Sequence, residues 1–189
     1  GLGDVYKRQA ILLIPLLSVL SGYLYFNPVD QKGSIGNLVV HADRGERSGV
    51  TLPDGTQVKL NAESSLSYTH DFGRELRQVN LEGEAYFEVT RNEDKPFVVH
   101  TKYLDIEVLG TSFNVYSYER ENVMEMALIS GRIKIQTCSE PSRVVYLKPN
   151  EKALFNKESG IITVDKTDNR FETAWLRGCL LYTSDAADD

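Results

Sequence analysis

Three observations predict an all-β fold, a curled antiparallel β-sandwich or solenoid-like stack preceded by one transmembrane helix. Beyond residue 48, apolar residues alternate with polar ones at a period of two. Turn-forming residues recur at the ends of those runs. One uncharged stretch, Ala10–Phe26, stands apart from everything else in the chain. Alternation marks strands with one buried face, and no stretch after residue 30 carries the 3.6-residue apolar stripe of a surface helix.

The segment Ala10–Phe26 (AILLIPLLSVLSGYLYF) comes first. As a helix it would rise roughly 26 Å at 1.5 Å per residue, slightly less than the roughly 30 Å hydrocarbon core of a bilayer. Pro15 lies early in it, and Tyr23, Tyr25 and Phe26 at its far end suit a membrane interface. Ser21–Tyr25 lacks the small-x-small pattern of a signal-peptide cleavage site, so the segment reads as an uncleaved anchor. Lys7 and Arg8 would put the amino end in the cytoplasm if they were native residues. Both ends of the chain, residues 1–9 and 179–189, resemble translated adaptor sequence and are expected to be non-native.

Residues 27–48 are polar and Gly-containing and read as a tether, with a short strand at Leu38–His41. The expected β-domain covers residues 49–167. Val58 and Leu60 alternate with Gln57, Lys59 and Asn61; Ala85, Phe87 and Val89 with Tyr86 and Glu88; Leu104, Ile106 and Val108 with Asp105 and Glu107. Met124, Met126 and Leu128, then Ile133 and Ile135, continue the pattern. Turns are placed at Pro53-Asp54-Gly55, Gly83, Gly110, Gly131 and Asn150. Pro presets φ, Asp bonds its own backbone, and Gly accepts positive φ. Asn is the non-Gly residue best suited to the left-handed region. The turns are unevenly spaced, which excludes a regular solenoid.

The 189 residues carry 21 Lys+Arg against 27 Asp+Glu, a net charge of −6, with 41% apolar residues. No basic field exists to attract phosphates, so nucleic acid is excluded as a partner. Cys138 and Cys179 form neither a metal-ligand spacing nor a disulfide framework. His41, His70 and His100 lack zinc-site spacing and read as surface or turn residues. No Gly-rich phosphate loop occurs. Among Glu82, Glu84 and Glu88, the last two share a strand face roughly 13 Å apart at about 3.3 Å per residue. That exceeds the roughly 6.5–9.5 Å separation of inverting glycosidases. No catalytic residue, cofactor or metal is assigned. Tyr68, Tyr86, Tyr116 and Tyr118 are candidates for a partner surface, because such rings bury large area at low entropy cost; Tyr is equally at home in half-buried strands.

Several segments together resemble the FecR family of membrane-anchored anti-sigma regulators. They are LPDGTQVKLNAESSLSY (Leu52–Tyr68), RQVNLEGEAYFEV (Arg77–Val89), PFVVHT (Pro96–Thr101) and VLGTSFNVYSY (Val108–Tyr118). ALISGRI (Ala127–Ile133) and LKPNEKA (Leu147–Ala153) fall at the family's Leu-x-x-Gly and Pro-Gly-x-x-Ala positions. AWLRG (Ala174–Gly178) looks like its Trp-containing join to a further domain, so residues 168–178 are expected to begin a linker. The matching motif positions are Leu60, Asn61, Gly83, Glu84, Phe87 and Val89, then Gly110, Thr111, Phe113, Asn114 and Val115. Lys59 stands where the family often has Trp, and Asn150 where it usually has Gly.

The resemblance implies a single-pass inner-membrane protein with its β-domain in the periplasm. Its partners would be the signalling domain of an outer-membrane TonB-dependent transporter and, through an amino-terminal region absent from this sequence, an ECF-type sigma factor. Transporter occupancy would be relayed by protein contact, with no enzymatic step. The competing expectations from the residues themselves are a periplasmic all-β carbohydrate-active enzyme or carbohydrate-binding module, and an envelope protein that assembles by sheet-edge pairing.

Overall fold

The structure is a computed structural model that describes residues 37–74 and 76–177. The expected membrane helix at 10–26, the leader at 1–9 and the tail at 179–189 lie outside the described residues. Among the described residues, no helix is long and apolar enough to cross a membrane.

The described chain is all-β, with thirteen strands and one short 3-10 turn, Ala174–Arg177. The strands are β1 (Leu38–Ala42), β2 (Ser48–Thr51), β3 (Gln57–Leu60), β4 (Ser64–Tyr68), β5 (Arg77–Glu88), β6 (Phe97–His100) and β7 (Leu104–Val108). They continue with β8 (Ser112–Ser117), β9 (Val123–Ser130), β10 (Ile133–Thr137), β11 (Val144–Leu147), β12 (Glu151–Asn156) and β13 (Ile161–Lys166). All hydrogen-bond into one sheet, which curls into a nearly closed, barrel-like wall.

The sheet has two leaves that share β5. One leaf runs β1-β4-β5-β6-β7-β10-β11, the other β2-β3-β5-β8-β9-β12-β13. The first half of β5 pairs with β4 and β6, and the second half with β3 and β8. Gly83 lies at the change of partners with φ +93°, and a Cβ there would come within 2.8 Å of Ser64 Cα. Only glycine fits both the left-handed backbone and the close approach.

Alternation places the core between the leaves. Leu66, Val79, Leu81, Phe97, Ile106 and Ile135 of the first leaf are buried, as are Val58, Leu60, Phe87, Phe113, Met126 and Phe155 of the second. Aromatic contacts run through this core from Tyr68 to Phe72, Phe97, Phe87 and Phe113, the last pair stacked at 5.0 Å. Each such side chain withdrawn from water contributes roughly 1.5–3 kcal/mol.

Three expectations need correction. The pairing is not antiparallel throughout, because β5 and β6 run parallel. A parallel neighbour needs a long crossover, and the excursion of β5 into the second leaf supplies it. Gly83 is not a turn but a kink inside a twelve-residue strand. The short strand expected at Leu38–His41 is present as β1, and it pairs along its whole length with β4, so the sheet begins at Leu38 and not at residue 49. The hairpin β12–β13 was not singled out by the alternation, since β13 buries neither face.

Candidate functional site

The motif residues of β3, β5 and β8 converge on one carboxylate. Ala85 and Phe87 face the core, so Glu84 and Tyr86 point to the outer face of the second leaf, where Asn114 and Tyr116 of β8 and Glu125 of β9 lie alongside. Asn61 follows β3 and donates from Nδ2 to Glu84 Oε2 at 2.7 Å. Asn114 donates from Nδ2 to Glu84 Oε1 at 2.9 Å. The Glu84 backbone N–H donates to Ser64 Oγ at 2.8 Å. Glu84 is buried, and that burial pushes its carboxyl above the ordinary range despite the two amide donors; the neighbouring Glu125 adds to the rise.

An outer sheet face should be wet, but Glu84, Tyr86, Asn114 and Ala127 are all buried. The cover is the carboxy-terminal segment 167–177. Trp175 Nε1 donates to Asn114 Oδ1 at 3.2 Å, completing a chain Trp175–Asn114–Glu84–Asn61. Asn169, itself in the left-handed region with φ 60°, donates from Nδ2 to Leu128 O and to Asn150 Oδ1, both at 3.2 Å. Lys152 Nζ donates to Glu172 Oε1 at 2.9 Å and to Glu125 Oε2 at 3.4 Å. Burial raises the Glu125 carboxyl more than Lys152 lowers it. Burial also acts on Glu172, but hydrogen bonds from Lys152, its own backbone and Thr167 outweigh it and hold that carboxyl below the usual value.

The turn residues serve a second knot. Asp54 accepts from its own turn at Thr56 N, 2.9 Å, and from Arg77 Nη1 at 3.1 Å. Arg77 is buried and also donates to Thr90 O at 2.8 Å and Lys95 O at 2.8 Å, tying the Pro53–Gly55 turn to the loop after β5. Gly55, Gly131 and Asn150 have positive φ, whereas Gly110 does not. Gly110 is required for a different reason, since a Cβ there would lie 2.6 Å from Arg91 Cα. Thr111 donates to Arg132 O at 3.1 Å and accepts from Val89 N through its carbonyl at 3.0 Å. Leu60, Phe87, Phe113 and Val115 are core residues, and Val89 is buried just beyond β5.

None of the four candidate tyrosines is an exposed ring. Tyr86 and Tyr118 are buried and Tyr68 and Tyr116 half-buried. Tyr118 donates from Oη to Ala62 O at 2.6 Å, and Tyr116 packs edge-on against it. The parity of a strand distinguishes inner from outer faces, not covered from open ones, and the covering segment is remote in sequence. Among the described residues the exposed tyrosine is Tyr146, 61% accessible on β11, beside an open groove of about 610 Å³ shared with Leu109, Arg132 and Lys134.

As chemistry, the Glu84 centre is a hydrogen-bonded clasp that ties β3, β5 and β8 together. Both its oxygens are engaged by amides beneath a cover, while Glu82 and Glu88 are exposed. Among the described residues there is no group of three or more His, Cys, Asp or Glu able to hold a metal ion. Sequence reasoning missed Ser64, Arg77, Lys152, Glu172 and the docking of Trp175. Only the Trp in AWLRG hinted at the last.

Residues 39–134 match the family model described as FecR protein. No curated protein matches the chain. Two crystal structures of a candidate anti-sigma factor from Parabacteroides distasonis are similar to it. One is 38% identical with a TM-score of 0.71, covering 76% of this chain and 66% of the other. The second is 39% identical with a TM-score of 0.70, covering 75% of this chain and 65% of the other.

Proposed function

The chain belongs to the FecR family, and on that premise we propose that its β-domain is the periplasmic sensor of a membrane-anchored anti-sigma regulator. In this proposal the segment 10–26 anchors the protein in the inner membrane, and the β-domain responds to the signalling domain of an outer-membrane TonB-dependent transporter. The response passes to an ECF-type sigma factor by protein contact, through a region outside this sequence. The regulatory role is the family's; the transporter, the membrane topology and the relay are the proposal.

The observation that carries it is the 38% identity, across three quarters of this chain, to the candidate anti-sigma factor of Parabacteroides distasonis. The Glu84 centre supports a role without bond-making chemistry, since its oxygens are occupied by Asn61 and Asn114. A ligand moves such a protein only through differential affinity for two states. The test is titration of the chain with purified signalling domains of TonB-dependent transporters from its own organism. A saturable one-to-one complex is expected; no complex with any transporter of the same organism would remove the transporter from the proposal.

A further inference from the structure

Segment 167–177 is held to the sheet differently from every strand. None of its residues belongs to the hydrophobic core cluster, the turn Ala174–Arg177 buries no residue, and Phe171 is 68% exposed. What it buries is polar, namely Asn169 and Glu172. Its attachments are the Trp175–Asn114 bond, the Lys152–Glu172 pair, the two bonds from Asn169, the backbone bond from Thr167 N–H to Asn150 O at 3.0 Å, and the Arg47 guanidinium 5.9 Å from the Trp175 ring centre. Elements with few buried apolar contacts occupy the low-stability end of a fold and open first.

Docking also carries costs. Asn169 Oδ1 and Glu172 Oε2 are buried without a hydrogen-bond donor, and each such orphan forfeits its hydration. Two carboxylates, Glu125 and Glu172, share the single ammonium of Lys152, and Glu84 lies next to Glu125 without a cation of its own among the groups that act on it. We propose that segment 167–177 is a detachable latch. It undocks as a unit while the thirteen-stranded sheet stays folded, freeing Trp175 and uncovering an outer-face cradle made of Asn61, Glu84, Asn114, Glu125 and Lys152. Because Arg47 lies between β1 and β2, undocking is felt at the amino-terminal edge of the domain as well as at its carboxy-terminal exit.

Proton uptake biases the latch. Around Glu84 stand Asn61 and the exposed Lys59 from the β3 side, Tyr116 of β8 and Tyr118 just after it, Glu125 of β9, and Trp175 of the latch. Lys152 and Glu172 lie beyond Glu125. Burial raises both Glu84 and Glu125, so the docked state keeps their protons longer than the open state. Glu172, held low by Lys152, its own backbone and Thr167, works the other way and favours docking once ionised; above that range, raising the pH through the values of Glu84 and Glu125 ionises them under the cover and favours undocking.

Trp175 is the only tryptophan of the chain, so its fluorescence reports the latch alone. The experiment is acrylamide quenching of the full 189-residue chain in detergent from about pH 5 to about pH 9, with far-UV circular dichroism followed in parallel. Quenching is expected to rise severalfold with pH at constant β signal. Glu84→Gln, which keeps an acceptor for Asn114 but cannot ionise, should flatten that rise. Glu172→Ala, which changes the latch and no strand, should be severalfold more quenched at every pH, again with the β signal intact. Quenching that increases only together with loss of the β signal would overturn the latch, as would equal quenching in the wild type and Glu172→Ala. No sigma factor or transporter is present in the measurement, so its failure leaves the anti-sigma proposal standing.

Discussion

Glu84 is a carboxylate placed on a sheet face that would ordinarily be wet, and its raised titration is a statement about stability. The folded protein holds the proton more tightly than the unfolded chain, so its contribution is full below the ordinary value of 4.5 and is lost as the pH rises through the folded value. Glu84→Gln should therefore lose less stability than the wild type between mildly acid and alkaline pH, as read from urea unfolding across a pH series; parallel profiles would contradict the burial. Arg77 is the opposite case, a buried cation whose five-way pairing includes Asp54 and the carbonyls of Thr90 and Lys95. Arg77→Leu strips the largely buried Asp54 carboxylate of its cation and the half-buried Lys95 carbonyl of its donors, at an expected cost of about 3 kcal/mol in denaturant unfolding. The sequence showed Asn61, Glu84 and Asn114 only as separate motif positions. That they bond one another depends on the registers of β3 and β8 against β5, which no local pattern encodes.

The element that organises the domain is β5, and its behaviour turns on a single kink. Gly83→Ala would combine a left-handed backbone with a clash against Ser64. Positive φ in a non-Gly residue costs about 1–3 kcal/mol and overpacking a further ~1–3 kcal/mol, so a loss of about 3 kcal/mol is expected by chemical denaturation. Gly73, also at positive φ but with open space around it, should lose less on the same change. Alternation made β3, β5, β7, β9 and β10 legible, because each has one face on the core. It left out β12 and β13, and it took Gly83 for a turn, because a strand that changes leaf and a strand that ends carry the same glycine.

At the scale of the molecule, the curled sheet leaves β1, β2, β11 and β13 with a single partner each among the described residues. Such margins can recruit further strands. The latch covers the middle of the second leaf and not these margins, so a chain ending after residue 166 should retain a cooperative thermal transition and its β signal, with Tm lowered. Loss of the folded state on that truncation would show the cover to be part of the core. The all-β class, the turn at Pro53–Gly55 and the family were readable from the chain; the accessibility of the tyrosines was not, since burial of Tyr86 and Tyr118 depends on folding of distant segments. The most direct test of contact sensing is a sigma-dependent transcription reporter in cells carrying the full-length gene, with and without the β-domain. Inducer response should vanish when the domain is deleted, while an unaltered response would contradict its role as the sensor.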